Sequence, residues 1–358
     1  MPIEPSRVCC RPTETLRAAM TQMDRAGHGI VLVVDEHQRL LGTVTDGDIR
    51  RTILANLDLN QPVSVLLARK VGTRFSTPIT AAPGQDRATY LNLLKRHSLL
   101  HLPLVDAAQR VMGLVTMDAL VPDQALPLQA VVMAGGRGTR LRPLTEEVPK
   151  PMLRVGDRPV LEIIINQLRE AGVRQVTVTT HHKSETIANH FGDGKGFGIE
   201  LSYLEEDQQL GTAGGLSLMD APTETTLVIN GDILTQMDFR AMLIYHREHQ
   251  ADLTVAVRRY EVKVPYGVVE CEGSAVRAVN EKPTCGFFVN AGIYLLEPAV
   301  HPFIPHGKRF DMTDLIHRLI AEHRQVVSFP IREYWLDIGD HAEYEQAERD
   351  VQTGKMRV

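Results

Sequence analysis

The stretch "VVMAGGRGTRLRPLTEEVPKP", residues 131 to 151, decides the fold and chemistry of this chain. Its apolar start predicts a strand, and three glycines follow within the next few positions. Glycines let backbone N–H groups approach a polyphosphate closely, and Arg140 and Lys150 can add charge-assisted contacts to it. Pro149 and Pro151 favour extended backbone over helix around the lysine. The stretch therefore predicts a polyphosphate-binding loop after a strand.

Two familiar phosphate loops do not match this stretch. A Walker A loop ends in Gly-Lys-Ser/Thr, whereas Gly138 is followed here by Thr139 and Arg140. A dinucleotide fingerprint needs a third glycine at the position that Leu141 occupies. The missing glycine disfavours an oxidoreductase with a dinucleotide-binding domain.

Strand-like and helix-like segments alternate from about residue 128 to the end of the chain. "QAVVMA" (129–134), "VRQVTVTT" (173–180) and "TTLVING" (225–231) predict strands, and "PVLEIIINQLREAG" (159–172) predicts an amphipathic helix. Such alternation is typical of a mostly parallel α/β sheet with right-handed crossovers. Ligands of these sheets bind beyond the carboxyl ends of the strands, where the glycine-rich loop emerges.

A sequence repeat occupies the first third of the chain. Residues 31–45, "VLVVDEHQRLLGTVT", correspond to residues 102–116, "LPLVDAAQRVMGLVT", at a constant offset of 71. Each copy reads as a strand, a polar turn, a second strand and the start of a helix. A helical stretch precedes each copy, at 13–27 and 86–98. One copy would leave an apolar sheet face uncovered, so two copies are expected to pack together.

This repeat resembles a tandem pair of cystathionine-β-synthase-type (CBS) repeats, about 1–60 and 68–121 within residues 1–121. The resemblance implies an adenine-nucleotide site at a Thr-x-x-Asp segment, which Thr45 and Asp48 match. In the second copy Ala119 stands where the acid would be, so at most one site is complete. A dimerisation or packing module without a ligand is the alternative. Residues 122–128, with two prolines nearby, are the expected linker.

Composition limits the classes of function. The chain of 358 residues is 43% hydrophobic, carries a net charge of −5, and fits an ordinary soluble protein of two domains. An acidic balance argues against non-specific nucleic-acid binding. The four cysteines lack metal-ligand spacing and fit a reducing compartment. No segment is long and apolar enough to span a membrane, so we expect a cytoplasmic protein.

The chain resembles the sugar-1-phosphate nucleotidyltransferases. Residues 136–151 match the opening motif of that family at every fixed position. Further motifs follow in family order: "EEDQQLGTAGG" (205–215), "INGDIL" (229–234), "NEKP" (280–283), "VNAGIYLLEP" (289–298) and "WLDIGDHAEYEQA" (335–347). The resemblance implies a Rossmann-like mixed, mostly parallel sheet of the GT-A-like type over residues 129–358, preceded by the tandem CBS pair. It also implies a reaction of a nucleoside triphosphate with a sugar-1-phosphate that releases pyrophosphate.

The resemblance assigns roles to particular residues. Arg140, Lys150 and Lys282 are the expected catalytic cations: Arg140 would face the leaving phosphates, and the two lysines would contact the α-phosphate and the sugar phosphate. Asp232 and Asp337, at predicted strand ends, are the expected Mg²⁺ ligands. The expected nucleotide-binding residues are Met133, Ala134, Gly135, Gly136, Gly138, Thr139, Glu206, Gly211 and Thr212.

Sugar binding is expected from Gly267, Glu281 and Asn290, while Tyr266 is as well explained by packing as by ligand contact. Asp340 is interpreted as a turn or helix-capping residue. His181 and His182 lack a third metal ligand at useful spacing, so they are interpreted as structural or solvated.

Base recognition is suggested by Glu206, five residues before Gly211. Family members specific for uracil or thymine usually carry glutamine there. A carboxylate only accepts hydrogen bonds, which suits the adjacent N1–H and N2–H donors of guanine and favours GTP.

The order of a CBS pair and then a transferase domain resembles bacterial guanylyltransferases of the nonulosonate (legionaminic acid) pathway. This implies GTP, glucosamine-1-phosphate and a homo-oligomer. Mannose-1-phosphate stays open as the sugar, as does a UTP- or dTTP-dependent enzyme acting on glucose-1-phosphate. An inactive transferase domain beside a nucleotide-sensing CBS pair is a further alternative, which Lys150, Asp232 and Asp337 disfavour.

Overall fold

The computed structural model describes residues 2–73, 76–97, 99–121, 125–181 and 183–357. His182 and the first part of the expected linker, residues 122–124, lie outside the described residues. The chain divides into two compact units, Met1–Gln124 and Ala125–Val358. We call them unit 1 and unit 2. No described helix combines the length and the apolar character needed to cross a membrane.

Unit 1 contains short helices and strands that follow the repeat. Its strands are β1 Cys9–Cys10, β2 Ile30–Val34, β3 Leu40–Thr45, β4 His101–Val105 and β5 Val111–Thr116. Its helices are α1 Pro5–Val8, α2 Leu16–Ala26, α3 Asp46–Leu54, α4 Ser64–Lys70, α5 Arg87–Arg96 and α6 Met117–Leu120. The predicted helices α2 and α5 and both predicted hairpins are confirmed.

The two copies of the repeat fold alike. The antiparallel pairing of β2 with β3 starts at Ile30 and Thr45, and that of β4 with β5 starts at His101 and Thr116, again 71 residues on. Each hairpin has its register shift at the corresponding place. The repeat in sequence is therefore a repeat in structure.

The copies also contact each other directly. The backbone N–H of Leu40 donates to the carbonyl of Gln109 at 3.0 Å, and that of Val111 donates to the carbonyl of Gln38 at 2.9 Å. One apolar cluster contains buried side chains of both hairpins. The N-terminal segment joins them as well, because Ile3 pairs with β5 while β1 pairs with β2. The expectation that the copies pack together is confirmed.

Unit 2 is built around one large sheet. Its strands are β6 Leu128–Met133, β7 Arg154–Val155, β8 Arg158–Pro159, β9 Gln175–Thr180, β10 Glu200–Glu205, β11 Thr225–Asn230, β12 Ile233–Thr235, β13 Leu253–Lys263, β14 Val268–Glu272, β15 Ala275–Asn280, β16 Thr284–Leu296, β17 Val326–Pro330 and β18 Trp335–Asp337. Its α-helices are α7 Val160–Ala171, α8 Ser184–Phe191, α9 Gly211–Gly214, α10 Phe239–Glu248, α11 Met312–Ala321 and α12 His341–Gln352. Its 3₁₀ helices are Thr139–Leu141, Lys150–Met152, Lys195–Phe197, Gly215–Leu218 and Pro298–Phe303.

The strand order of the large sheet is β10-β9-β6-β11-β16-β13-β17. The first four strands are mutually parallel, β16 is antiparallel to both of its neighbours, and β17 is parallel to β13. The predicted mixed, mostly parallel sheet is confirmed. Because β6, β9, β10 and β11 run in one direction, the residues that follow them share one edge of the sheet.

Helix α7 shows how sequence determines these elements. Its apolar residues recur at helical spacing and are buried against the sheet, and its last turn ends at Gly172. Gly172 adopts a left-handed conformation with φ of 99°, which glycine tolerates and other residues disfavour. The predicted helix and its C-terminal glycine are therefore confirmed.

Candidate active site

A cavity of about 260 Å³ opens at the carboxyl ends of the parallel strands of unit 2. It lies where the order of the sheet predicts a ligand site. Most of the lining residues come from the ends of β6, β9, β10 and β11 and from the loops beyond them, and Arg309 comes from the loop before α11. They are Met133, Ala134, Gly135, Gly136, Lys150, Pro151, Thr179, Glu206, Gln209, Gly211, Thr212, Asn230, Gly231, Asp232 and Arg309.

The cavity brings together most of the residues that the sequence predicts for nucleotide binding. Seven of them line it, namely Met133, Ala134, Gly135, Gly136, Glu206, Gly211 and Thr212, and so do the predicted catalytic residue Lys150 and the predicted metal ligand Asp232. The other residues predicted for the active site are not in the lining of the cavity. Gly138, Thr139, Arg140 and Asp337 are close in sequence or space to lining residues, and the rest are Gly267, Glu281, Lys282 and Asn290.

The glycine-rich loop is tightly folded. Gly138 has φ of 60°, and a Cβ there would lie 2.9 Å from Thr145 Cγ2 and 3.1 Å from Lys150 Cβ. The Thr145 hydroxyl donates to the Gly138 carbonyl at 2.8 Å, which closes the loop. Thr139 and Arg140 continue as a short 3₁₀ helix. Both the left-handed backbone and the close contacts require glycine at position 138.

Lys150 does not lie in extended chain, so that part of the prediction is wrong. It begins the 3₁₀ helix Lys150–Met152, in which Met152 N–H donates to the Pro149 carbonyl at 2.8 Å. Proline fixes its own φ near −65°, and this value suits the second position of a 3₁₀ turn as well as extended chain. The side chain still reaches across the site, because its Nζ lies 2.5 Å from Asp232 Oδ2.

Asp232 and Asp337 are brought together by a short antiparallel pair of strands. β12 follows Asp232 directly, and β18 ends at Asp337, which pairs with Ile233. The backbone N–H of Ile338 also donates to the Asp232 carbonyl at 3.0 Å. Residues more than a hundred positions apart thus meet at one edge of the sheet.

The two carboxylates interact electrostatically. Burial raises the pKa of the Asp337 carboxyl to about 6, and the negative charge of Asp232 adds to this rise. Lys150 and Arg140 oppose it. Arg140 is close by, since a Cβ at Gly339 would lie 3.3 Å from its guanidinium. Lys150 and Arg140 therefore do not fully offset the negative charge of the two carboxylates.

The donor atoms fit a hard divalent cation. Asp232 Oδ1 and Asp337 Oδ1 are both buried and have no hydrogen-bond partner in the part of the chain that the structure describes. Across the described ranges no cluster of three or more His, Cys, Asp or Glu side chains could hold a metal ion. Mg²⁺ prefers one or two carboxylates completed by water and substrate phosphates. A pair of unpartnered carboxylate oxygens meets that preference.

The raised pKa of Asp337 predicts how metal binding depends on pH. The metal binds the carboxylate and competes with its proton, so we expect Mn²⁺ affinity to be constant above pH about 7. Below pH about 6 it should fall by up to about tenfold for each pH unit. Titration calorimetry of the whole chain with Mn²⁺ between pH 5 and 8 measures this. An affinity that does not change across the range would contradict the assignment.

Glu206 lines the same cavity and is buried, with 5% of its surface exposed. Its Oε2 accepts a hydrogen bond from the backbone N–H of Leu210 at 3.0 Å. A Cβ at Gly215 would lie only 2.6 Å from Oε1, so this glycine leaves room for the carboxylate. Burial raises the pKa of the Glu206 carboxyl. The Leu210 N–H occupies one lone pair and leaves acceptor capacity for a ligand.

The turn that follows Glu206 is held by a distant loop. Ala213 and Gly214 N–H donate to the Phe310 carbonyl at 3.0 and 2.8 Å. Asp311 Oδ1 accepts from Thr212 N–H at 3.0 Å. The side-chain hydroxyl of Thr212, predicted to contact nucleotide, accepts from Met312 N–H at 2.8 Å. The hydroxyl therefore caps α11, while Thr212 is also part of the cavity lining.

Sequence reasoning missed several lining residues, chiefly Gln209, Asn230 and Arg309. Asn230 lies within the quoted motif "INGDIL" and has an unpartnered buried Oδ1, so the motif itself was a usable signal. Arg309 comes from the loop before α11, and no local pattern indicates that this loop reaches the cavity.

The predicted sugar-binding residues are Gly267 and Glu281, which lie next to each other, and Asn290, whose bonding partner Gly292 packs against Asn230 of the cavity lining. Gly267 and Glu281 are neighbours, since a Cβ at Gly267 would lie 2.9 Å from Glu281 Oε2. Asn290 Oδ1 accepts from Gly292 N–H at 3.0 Å. None of these residues, nor Lys282, is part of the lining of the cavity among the described residues. Tyr266 is 75% exposed, so the packing explanation for it is wrong.

Two further interpretations hold. Asp340 caps α12, because its side chain accepts from Glu343 N–H at 3.0 Å in a reciprocal capping box. The ring Nδ1 of His181 lies 2.7 Å from the Glu206 carbonyl, which is a structural contact beside the cavity.

In unit 1, Thr45 and Asp48 are engaged with the protein itself. Asp48 is 6% exposed, and its Oδ2 accepts from Thr45 N–H and hydroxyl at 2.8 and 3.0 Å. Lys70 Nζ lies 2.5 Å from Oδ2, and Arg51 lies 2.6 Å from Oδ1. Lys70 is the strongest of the contacts that together outweigh burial and lower the pKa of the Asp48 carboxyl. These contacts favour a structural role.

We expect Asp48→Ala to destabilise unit 1 by about 3 kcal/mol, because it removes a helix cap and leaves Lys70 facing no carboxylate. The chain's single tryptophan, Trp335, lies in unit 2, so hydrogen exchange of peptides covering 40–54 is the suitable measurement. Glu36→Ala, with a side chain 87% exposed, is the matched control. Equal hydrogen-exchange rates of these peptides in Asp48→Ala and Glu36→Ala would contradict a structural role for Asp48.

Comparison with known proteins places this geometry in a family. Residues 129–354 match the family model described as nucleotidyl transferase, and residues 4–55 match that of the CBS domain. A UTP–glucose-1-phosphate uridylyltransferase of Synechocystis is 32% identical over 251 residues, covering 64% of this chain and 65% of that protein. A mannose-1-phosphate guanylyltransferase of Mycobacterium tuberculosis is 33% identical over 236 residues, covering 63% and 65%. The chain thus spans 65% of the length of these relatives.

A solved structure shares the fold. A Bacillus anthracis protein described as a glucose-1-phosphate thymidylyltransferase superposes with a TM-score of 0.52 at 22% identity, over 62% of this chain and 94% of that one. The family match covers more than half of this chain and includes every residue that lines the cavity. The chain therefore belongs to the nucleotidyl transferase family and carries a CBS domain at its N-terminal end.

Proposed function

We propose that the chain is a sugar-1-phosphate nucleotidyltransferase, which converts a nucleoside triphosphate and a sugar-1-phosphate into a nucleoside-diphosphate sugar and pyrophosphate. The cavity carries this proposal. It joins a glycine-rich loop, the paired Lys150 and Asp232, and a buried acceptor at Glu206. These are the features needed to bind a triphosphate and its base at the end of a parallel sheet.

The chemistry needs positioning more than a nucleophilic side chain. An oxygen of the sugar phosphate attacks the α-phosphorus, the bond to the β-phosphate oxygen breaks, and pyrophosphate leaves with that electron pair. The attacking phosphate is already ionised, so no general base is required. The protein has to align two anions and reduce their repulsion.

The residues of this chain divide that task. Gly135 and Gly136 admit the triphosphate, Arg140 would face the leaving phosphates, and Lys150 would contact the α-phosphate. Asp232 and Asp337 would hold Mg²⁺, which neutralises phosphate charge when bound. Lys282, Gly267, Glu281 and Asn290 are proposed for the sugar phosphate and sugar.

The proposed substrates are GTP and glucosamine-1-phosphate, as in nonulosonate or surface-glycan synthesis. Glu206 supports GTP, because an acceptor-only side chain suits guanine. The relatives named above include both a uridylyltransferase and a guanylyltransferase, so the base must be argued from Glu206 itself. Mannose-1-phosphate, or UTP or dTTP with glucose-1-phosphate, is the alternative. A cytoplasmic homo-oligomer completes the proposal. For unit 1 the engagement of Asp48 by Lys70 and Arg51 supports the packing-module alternative over an adenine nucleotide at Thr45 and Asp48.

Pyrophosphate release by the purified whole chain with Mg²⁺ tests this function. GTP, UTP, dTTP, CTP and ATP are offered separately with glucosamine-, mannose- and glucose-1-phosphate. Release with GTP supports the class and the base, and the sugar that gives the highest kcat/KM identifies the substrate. Release with UTP or dTTP alone would keep the class and overturn the base. Silence in every combination would favour an inactive, nucleotide-sensing protein.

A further inference from the structure

Arg309 is a cation of the cavity to which the proposed reaction gives no role. It lies on the loop before α11 and is part of the cavity lining. Within the described residues its guanidinium makes no hydrogen bond or ion pair, in contrast to Lys150, which is paired with Asp232. A guanidinium has five donors in a planar fork. Those of Arg309 are free to meet a ligand.

The backbone of Leu210 ties Arg309 to Glu206. The N–H of Phe310, next to Arg309, donates to the Leu210 carbonyl at 2.8 Å. The N–H of Leu210 donates to Glu206 Oε2 at 3.0 Å. One residue thus anchors both the loop of Arg309 and the carboxylate of Glu206. The backbone beside Arg309 is therefore tied, through Leu210, to the carboxylate of Glu206.

The loop that carries Arg309 has little freedom to move away. A Cβ at Gly211 would lie 2.8 Å from the Phe310 carbonyl and 2.5 Å from Asp311 Oδ1, and a Cβ at Gly214 would lie 2.7 Å from the Lys308 carbonyl. The backbone on both sides of Arg309 is thus packed against the turn that follows Glu206. Such fixing is what a residue that reads a ligand edge requires.

We propose that Arg309 is a specificity residue that donates two hydrogen bonds to O6 and N7 of guanine, while Glu206 accepts from N1–H and N2–H. This inference rests on the proposed use of GTP. Guanine presents O6 and N7 as adjacent acceptors, which an arginine fork matches. Adenine presents a donor in place of O6, and pyrimidines have no N7. The pair would therefore reject ATP, UTP, dTTP and CTP together.

The test compares GTP with 7-deaza-GTP, in which a C–H group replaces N7. Dissociation constants and kcat/KM are measured for the wild-type chain, Arg309→Met and Arg309→Lys. Lys308→Met is the matched control, since it removes a charge from the same loop outside the cavity lining. The wild type and the control should bind GTP about tenfold more tightly than 7-deaza-GTP. Arg309→Met should bind both equally, and Arg309→Lys, which lacks the fork, should restore little of the difference.

Other results would overturn the inference. One such result is that Arg309→Met weakens the binding of GTP and of 7-deaza-GTP by the same factor, and another is that Arg309→Lys binds GTP with full affinity. Either result would mean that Arg309 contacts phosphate rather than base. If the wild type binds GTP and 7-deaza-GTP with equal affinity, Arg309 does not contact N7. Thermal melting of each variant shows whether it is folded. The ratio of kcat/KM for GTP to kcat/KM for 7-deaza-GTP is unaffected if part of a preparation is inactive.

ITP, which lacks the 2-amino group, separates this inference from the proposed function. A wild type that uses GTP and loses affinity for ITP but not for 7-deaza-GTP would keep the function and its Glu206 contact and reject the role of Arg309. A wild type that uses UTP or dTTP in place of GTP would reject the base assignment and, with it, the role of Arg309.

Discussion

Replacing Asp337 with asparagine should lower kcat by about a thousandfold and, in metal-free buffer, raise the stability of the protein. The loss of activity follows from the proposed metal site, where Asp337 Oδ1 has no hydrogen-bond partner among the described residues. The gain in stability follows from the pKa. Burial raises the pKa of Asp337 to about 6, so the folded state holds this proton more tightly than the unfolded chain. That contribution favours folding at low pH and is lost as the pH rises through about 6.

At pH 7.5 the ionised Asp337 should therefore destabilise the folded state by about 1–2 kcal/mol, after allowance for partial solvent screening. Tryptophan fluorescence suits the measurement, because Trp335 is two residues away in β18. Asp340→Asn is the matched control, since asparagine caps a helix as well as aspartate does. Full activity in Asp337→Asn would contradict the metal site. A lower melting temperature in that variant would contradict the electrostatic argument.

Glu206→Gln should reverse the choice of base. We expect kcat/KM for GTP to fall by about a hundredfold, because a glutamine NH₂ would face the donors of guanine. The same group can donate to a carbonyl of uracil or thymine, so kcat/KM with UTP and dTTP should rise. Glutamine can also keep the hydrogen bond from Leu210 N–H and has nearly the same size, which matters beside Gly215. The nucleotide panel of the pyrophosphate assay measures both changes.

Glu205→Gln provides the control for this exchange. Glu205 is the exposed neighbour, it bonds the Ser184 hydroxyl at 2.9 Å, and it does not line the cavity. The GTP-to-UTP ratio should be unchanged in this variant. If Glu206→Gln lowers activity with every nucleotide by the same factor, Glu206 holds the turn at Leu210 and does not read the base.

Local patterns predicted the framework of both units. The helix ending at Gly172 and the strands that lead into Gly135 and Asp232 follow from periodicity and glycine chemistry. The 71-residue repeat predicted two similar hairpins, and they share even their register. The end of the parallel sheet then assembled nine predicted residues around one cavity. These features depend on residues close in sequence or on general rules of sheet topology.

What could not be predicted depends on contacts distant in sequence. Arg309 reaches the cavity because Phe310 bonds Leu210, a pairing that neither segment indicates. Glu281 follows the hairpin of β14 and β15 and is not part of the cavity lining, and the order of the motifs does not encode the course of that hairpin. The 3₁₀ turn at Lys150 was missed because Pro-Lys-Pro is compatible with two backbone conformations.

The reciprocal hydrogen bonds between the two hairpins of unit 1 have a consequence for how this unit loses its structure. Leu40 and Val111 each donate to the other copy, and Ile3 and β1 attach the same N-terminal segment to both. Neither copy could open without exposing polar strand edges and apolar surface of its twin. Unit 1 should accordingly melt in a single all-or-none transition. A chain cut between the copies would yield two fragments that aggregate or recombine rather than two folded halves.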